Sequence, residues 1–471
     1  ALAILIVILL IKYHIENSEY LLTIPSLLSK TTTSILVLAV SIPQYYILAK
    51  DSEYGQILFA LSLFPIIILF WIWKNPSQFK IFYTLLCVLL SLAVLAKGII
   101  GIALPTAIFF LYVLMTQNWK LLLFFKPLHG FFMISSIAFP WFIILSISHL
   151  KDDEGNTFFE RFFIHDHFDR LAEGVHGDRG SFSYYIEQLA FAFFPWISLV
   201  PFIITYFKKY TFSSFKKNND SFSIFLLIWA CFAYIFYSLV VTKFHHYIFP
   251  VIFPMSVMIA VSLSKENFDT HKDSLLFAVT FIVSIILLSH DITNHPRYFL
   301  DLFTYNYQRP YPPELTLDFI AIILCVFFAI SIISIFLFVR KFQILRISFF
   351  IFAIVFALFH SHINFSRLSP HWSSKHLLET YNEQRKPSDI LVAYQMNWRG
   401  ETFYSNNSVI QLKGNEASGR IYQLARKAQR MFILVEQERY KKLQKALGAP
   451  YSNRLKIIDS SNNKFYLLRL E

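Results

Sequence analysis

The sequence predicts an α-helical polytopic membrane protein with a small C-terminal α/β extracytoplasmic domain, and three observations carry that fold class. Of its 471 residues 56% are hydrophobic and only 15% are charged, whereas soluble domains carry charge on about a quarter of their positions. The mean hydropathy is +0.51. Long apolar segments recur as far as about residue 363, and beyond residue 374 they give way to short alternating helical and strand-like patterns. In hydrocarbon the backbone must satisfy its own hydrogen bonds, so such segments span as helices.

Twelve segments qualify, at about 1–12, 30–49, 56–74, 79–96, 98–116, 129–149, 185–207, 221–242, 246–264, 274–290, 316–340 and 344–363. The first is too short for a bilayer core of about 30 Å and follows no Met, which reads as a truncated parent protein. Lys12, Lys30, Lys74, Lys80, Lys120, Lys126, Lys208, Lys209, Lys216, Lys217, Lys265, Lys272, Arg340, Lys341 and Arg346 fall in alternate connections. Positive charge collects on the cytoplasmic side, so the opposite connections face outward. These are 50–55, the Lys97-Gly98 turn, the loop 149–184, the 242–246 turn, 291–315 and everything after about 364. The predicted domains are therefore a transmembrane unit over 1–364 and a soluble outward domain over 365–471.

Cys87, Cys231 and Cys325 each lie inside an apolar run and behave as small hydrophobes. The formal charge of +12 is dispersed over short loops and the C-terminal tail, without the basic stripe interleaved with aromatics that marks a nucleic-acid binder. In the tail, residues 374–384, 418–428 and 438–447 read as helices, and 390–394, 431–435, 455–458 and 465–468 as strands. That alternation predicts a small α/β domain with an accessory or acceptor-positioning role, since it carries no phosphate loop, metal cysteines or nucleophile elbow.

Chemistry-bearing residues cluster in the outward connections. The loop contains His165, His167, Asp169 and Arg170, then His176, Asp178 and Arg179. Arginines suit bidentate phosphate contacts, and imidazoles and carboxylates suit sugar hydroxyls or proton transfer. Local Arg–Asp pairing is the structural alternative. His-x-His is half of a zinc pair without a Cys or third ligand at metal spacing, so no cofactor is predicted and a divalent metal stays open. Lys243, His246 and Tyr247 put a cation, an imidazole and a phenol at headgroup level, as Lys97 does another cation; snorkelling of Lys243 and interfacial anchoring by Tyr247 explain either residue alone equally well, and a lone lysine at a span end such as Lys97 is usually an anchor. The loop's aromatic content predicts short amphipathic helices lying on the outer leaflet, Phe side to lipid.

These motifs resemble a family. Leu95-Ala96-Lys97-Gly98 with Pro105, Phe139-Pro140-Trp141-Phe142, His165-x-His167 leading to His176-Gly177-Asp178-Arg179-Gly180-x-Phe182-x-Tyr184-Tyr185, Phe194-Pro195-Trp196, and Lys243-Phe244-x-His246-Tyr247-x-x-Pro250 occur in order over about residues 30–264. They are similar to the C-type glycosyltransferases, in the bacterial protein O-mannosyltransferase and lipid A aminoarabinose transferase-like branch. The resemblance implies an inverting transfer of a sugar from a polyprenyl-phosphate donor to a lipid, glycan or protein acceptor on the outer face of the bacterial inner membrane. It also implies thirteen spans, with a catalytic acidic pair in the first outward loop. This chain looks like the family without its first span and that loop, so the main catalytic acid is expected upstream of Ala1. Relatives also place an Asp near the end of a later span, where this chain offers Asp51 and Glu53 at an offset.

The resemblance casts Lys97, His165, His167, Asp169, Arg170, His176, Asp178, Arg179, Lys243, His246 and Tyr247 as substrate-binding residues. A lipid transporter or flippase is the rival, and it predicts ionisable groups buried in mid-span and inverted repeats of broken helices. A catalytically incomplete relative acting as a membrane scaffold is the other.

Overall fold

The computed structural model describes residues 30–48, 55–74, 77–148, 151, 155–169, 181–208, 221–264, 271–294, 342–366, 369, 373–396, 399–414 and 416–471. The expectations for 1–12, Asp51, Glu53, Arg170, His176, Asp178, Arg179 and 316–340 lie outside these residues. The chain forms two compact units that divide between Thr280 and Phe281.

The first unit is helical. Its helices are α1 (Lys30–Leu48), α2 (Gly55–Trp73), α3 (Gln78–Lys97), α4 (Ile100–Thr116), the short α5 (Lys120–Phe125), α6 (Pro127–Ile147), α7 (Tyr184–Ala192), α8 (Val200–Phe207), α9 (Ser221–Leu239) and α10 (Phe249–Ser264). Punctuation residues set the boundaries. Ser77 accepts from the Lys80 amide at the start of α3, and Gly98 ends that helix at φ 65°, a conformation that favours glycine. Pro127 opens α6, where a missing N–H costs nothing.

Among the described residues four stretches are long and apolar enough to cross a membrane: Phe79–Lys97, Lys120–Ile147, Ser221–Leu239 and His245–Leu263. Shorter apolar helices occur over Ile100–Thr116, Trp196–Phe207, Leu275–His290 and Ile347–His362. Phe132, Leu239 and Phe249 on these helices, and Ile66 and Phe70 on α2, are more than half exposed, as expected where hydrocarbon rather than water is the neighbour. The predicted single span over 185–207 is instead broken. α7 stops at Ala192, and after the cis Phe194–Pro195 bond a 3-10 turn (Trp196–Leu199) leads into α8.

Contacts between helices fix their directions. Tyr83, near the start of α3, donates to the carbonyls of Phe125 and Lys126 just before α6, so α3 and α6 run parallel. The Trp73 indole at the end of α2 donates to Ser34 near the start of α1, which makes those two antiparallel. Gln44, late in α1, donates to the Ile137 carbonyl at the middle of α6. Tyr112 late in α4 meets Phe225 early in α9, and Trp229 of α9 meets Phe253 of α10. Followed through, these directions sort the connections into two ends of the bundle. One end holds the end of α1 and the start of α2, the Lys97-Gly98 turn, 155–169 and 181–184, and 240–248. The other holds Lys30, Lys74, Lys80, Lys120, Lys126 and Lys208, with Lys30 and Lys80 lying over the rings of Trp73 and Trp71.

In the second unit the later half of α11 (His271–Asn294) packs through Phe281 on Phe349 and Phe352 of α12 (Phe342–Leu358), which continues into a π-helical turn over Phe359–Asn364. A five-stranded sheet follows, ordered β2-β1-β3-β5-β4: β1 (Ile390–Tyr394), β2 (Ile410–Leu412), β3 (Met431–Glu436), β4 (Leu455–Asp459) and β5 (Phe465–Leu470). β1 pairs in parallel with β2 and β3, and β5 pairs antiparallel with β3 and β4. All six β3 residues are buried, because both faces of the sheet are covered. Val392, Tyr394, Ile433 and Val435 meet α15 (Ala417–Lys427) and α16 (Tyr440–Ser452) on one face. Leu391, Ala393, Phe432 and Leu434 meet α13 (Lys375–Gln384) on the other, by the two-residue alternation of a strand. The sequence reading missed only the short α14 (Gly400–Tyr404) and the three-residue β2, both too short to show a period.

Two glycines test this packing in opposite directions. A Cβ at Gly101 would run into the Ala93 carbonyl where α4 crosses α3, whereas one at Gly419 on α15 meets nothing within 4 Å. Gly101→Ala is expected to cost about 1–3 kcal/mol by overpacking, and Gly419→Ala to gain about 0.5–1 kcal/mol in a helix interior. Thermal unfolding in detergent measures both; an unchanged midpoint for Gly101→Ala would refute the close crossing.

Candidate functional site

The turn from α9 to α10 is the best-defined polar feature at the first end of the bundle. α9 ends at Leu239 with its last carbonyls unpaired, as every helix end leaves them. Lys243 folds back beneath them. Its Nζ donates to the carbonyls of Tyr237 (3.0 Å), Ser238 (2.6 Å) and Val240 (2.6 Å). An ammonium has three protons, and these acceptors take them all. The side chain is 4% exposed, and the ammonium also sits 5.3 Å from the centre of the Tyr185 ring. Burial pushes it below the usual lysine range, while the carbonyl dipoles at the helix end and the ring face favour its charge.

Tyr185 locks this turn to the loop. It is fully buried, and its hydroxyl donates to the Phe244 carbonyl at 3.2 Å. Above the lysine, a 3-10 turn over His245–Ile248 carries the aromatic residues. Phe244 stacks on His246 at 5.6 Å, and Tyr247 contacts Phe244 (5.2 Å), His246 (4.9 Å) and Tyr237 (5.9 Å). His246 is exposed and Tyr247 half-buried. Lys243 therefore serves here as an internal brace, and His246 and Tyr247 form the accessible surface.

The large loop enters the same end from α6. Thr157 and Glu160 cap one another: the Thr157 amide and hydroxyl donate to the Glu160 carboxylate at 2.8 and 2.9 Å, and the Glu160 amide donates to the Thr157 hydroxyl at 3.3 Å. A π-helix follows over Glu160–Asp169. The expectation that its phenylalanines face lipid is corrected in part. Phe158, Phe162 and Phe163 gather on Phe142 of α6, with ring separations of 5.3–6.4 Å, while Phe159 and Ile164 stay about half exposed. A helix of this length buries more apolar area by folding its aromatic side onto a neighbouring Phe than by lying free. His165, His167 and Asp169 lie on the last turns of that π-helix, and Lys97 is exposed at the end of α3. Among the described residues, no group of three or more His, Cys, Asp or Glu is placed to hold a metal ion.

All the sequence-predicted site residues within the described set, Lys97, His165, His167, Asp169, Lys243, His246 and Tyr247, thus belong to one end of the bundle. Asp51 and Glu53 lie outside that set, in the connection from α1 to α2. Sequence reasoning did not single out Tyr185 as a site residue, although the Tyr184-Tyr185 pair closing the loop motif was its signal.

The fold is shared with a solved membrane-protein structure. The crystal structure of ArnT from Cupriavidus metallidurans bound to undecaprenyl phosphate superposes with a TM-score of 0.60 at 16% identity, covering 98% of this chain and 86% of that one. In sequence the chain is similar to undecaprenyl phosphate-alpha-4-amino-4-deoxy-L-arabinose arabinosyl transferases. The one from Erwinia tasmaniensis is 25% identical over 217 residues, 44% of this chain and 37% of the relative. The one from Wigglesworthia glossinidia brevipalpis is 26% identical over 301 residues, 62% of this chain and 49% of the relative. The chain thus spans less than half the length of these relatives. No protein-family model matches it.

The brace and the surface separate on mutation. Hydrogen bonds to a charged group contribute about 1.5–3 kcal/mol, so Lys243→Met is expected to lower the unfolding midpoint by several degrees in detergent. Lys97→Met, at an exposed position, should change stability by no more than about 0.5 kcal/mol. Equal midpoints for the two variants would remove the bracing role of Lys243.

Proposed function

We propose that this chain belongs to an integral-membrane glycosyltransferase that moves a sugar from a polyprenyl-phosphate donor to a lipid acceptor at the outer face of the inner membrane. The observation that carries the reading is the convergence of Lys97, the π-helical loop and the His246-Tyr247 turn on one bundle end, opposite the end that gathers the lysines. The similarity to transferases whose names specify an undecaprenyl-phosphate sugar donor supports it.

Displacing a lipid phosphate from an anomeric carbon needs cations and donors for the leaving phosphate and a carboxylate to orient or deprotonate the acceptor. In this reading Lys97, Arg170 and Arg179 supply charge to the phosphate, with hydrogen bonds from His246 and Tyr247. His165, His167, Asp169, His176 and Asp178 face the sugar and acceptor. Lys243 contributes by holding the turn, and it would have to release its three carbonyls to touch phosphate. The acid is assigned to Asp51, Glu53 or a residue upstream. Twelve spans, an outward-facing site, and a division at 364/365 between the membrane part and an outward α/β domain complete the proposal.

Activity tests the site directly. In native membranes supplied with radiolabelled polyprenyl-phosphate sugars, Lys97→Met is expected to lower turnover by about one to two decades, the loss of one charge-assisted bond of about 1.5–3 kcal/mol. Lys120→Met, at the opposite end, is the control, and equal turnover in both would make Lys97 an anchor only. Orientation is tested by cysteine accessibility. Ser183→Cys should react with an impermeant reagent added outside intact cells and Lys120→Cys should not; the reverse pattern would overturn the topology.

A further inference from the structure

The C-terminal sheet carries two differently charged helix layers. Residues 375–471 hold 17 Lys and Arg against nine Asp and Glu, a surplus of eight within a chain whose formal total is +12. On the α13 side the charges are mixed, and Lys375 and His376 both reach Glu379. The opposite layer differs. α15 and α16 turn Ile421, Ala425, Leu443 and Leu447 onto the sheet and expose Arg420, Arg426, Lys427, Lys441, Lys442 and Lys445 on their outer side. Neither helix contains an acidic residue. The nearest exposed ones, Glu416 and Glu438, precede the two helices, where the helix dipole favours them.

Among the described residues the ion pairs of this domain engage Lys375, Arg430, Arg439, Lys456, Lys464 and Arg469, and none of these pairs involves the six cations of that layer. Of the six, Lys442 reaches the Gln395 side-chain oxygen at 3.5 Å, the long limit of a hydrogen bond. An aromatic pair borders the cations: Tyr422, 39% exposed, meets Tyr451 edge-on at 5.5 Å. Helices that bring several lysines and arginines together with tyrosine on one outer side suit an anionic headgroup layer, where each cation is favoured and a phenol sits at the interface.

We propose that the α15–α16 layer docks on the anionic phospholipid surface of the bilayer that holds the rest of the chain. The inference rests on the reading that the apolar helices cross that bilayer. Docking of this kind lays the sheet domain against the membrane through charge alone, without inserting an apolar helix, and so makes its position depend on lipid charge and ionic strength.

The test uses the full chain in nanodiscs of phosphatidylcholine alone and of phosphatidylcholine with 30% phosphatidylglycerol, probed by lysine acetylation and mass spectrometry. Lys427, Lys441, Lys442 and Lys445 are expected to react about fivefold more slowly in the anionic discs, the attraction of one cation near such a surface. Lys375 and Lys456 should react alike in both. The protection should vanish at 1 M salt, where charges are screened within about 3 Å. A triple surface variant, Arg420→Glu with Arg426→Glu and Lys445→Glu, leaves the buried contacts intact and should abolish protection of Lys427 and Lys441. Equal reactivity in the two disc types, protection without anionic lipid, or protection retained in the triple variant would each overturn the proposal. Failure of the chain to incorporate into discs would instead overturn the membrane reading beneath it.

Discussion

The closed end of α9 depends on one ammonium. Lys243 answers three carbonyls that the helix leaves open, in a position too buried for water to take over. Around it the rest of the turn is determined by short steps. Tyr185 lies under the charge and ties the end of the loop to the Phe244 carbonyl. The 3-10 turn then stacks Phe244, His246 and Tyr247 into a single aromatic surface. A buried, fully bonded cation is a poor mobile ligand but a strong positioning device, since breaking any of its bonds exposes a desolvated group.

The second constraint is the alternation of helix direction. Helices of similar length joined by short connections must reverse at each turn, so chemistry written into every second connection gathers at one end. Hydrogen bonds from Tyr83 and Gln44 to backbone carbonyls of distant helices set which ends meet. The loop from α6 gains its order differently. The reciprocal Thr157–Glu160 cap starts its π-helix, and the cluster of Phe158, Phe162 and Phe163 on Phe142 holds that helix to the bundle. A π-helix spaces its residues more widely per turn than an α-helix and recurs at functional sites.

The sheet domain is held by ordinary core physics. Its central strand is buried on both faces, with alternate residues committed to opposite helix layers. Asp459 shows how its edge is tied in. Burial works against its charge, but donation from the Ser461 hydroxyl and amide and from Thr380 outweighs it and holds the carboxyl below the usual range. A carboxylate depressed in this way stabilises the fold above the ordinary Asp range, and that contribution is lost as pH falls through its own lower value.

Much of this was legible in the residues. Apolar runs long enough for hydrocarbon specify helices whatever their neighbours, because no other backbone arrangement satisfies itself there. The helix bounds around α1, α3, α4 and α9 and the strands from 390, 431, 455 and 465 follow directly from those periods. Other features depended on contacts between segments distant in the chain. The break at Phe194–Pro195 interrupts a run that stays apolar throughout, so hydropathy is blind to it. The phenylalanines of the loop turned to Phe142 rather than to lipid, since their character is satisfied equally by either. Lys243 reads in sequence as a free interfacial cation and in the fold as a brace, because what an ammonium does is decided by which acceptors lie within 3 Å of it. By itself the sequence determined the membrane class, the helix and strand periods and the residue types available at the connections between helices. Only the tertiary structure decided which of them are spent on holding the protein together and which stay accessible, since pairing and burial belong to the neighbours a residue acquires on folding.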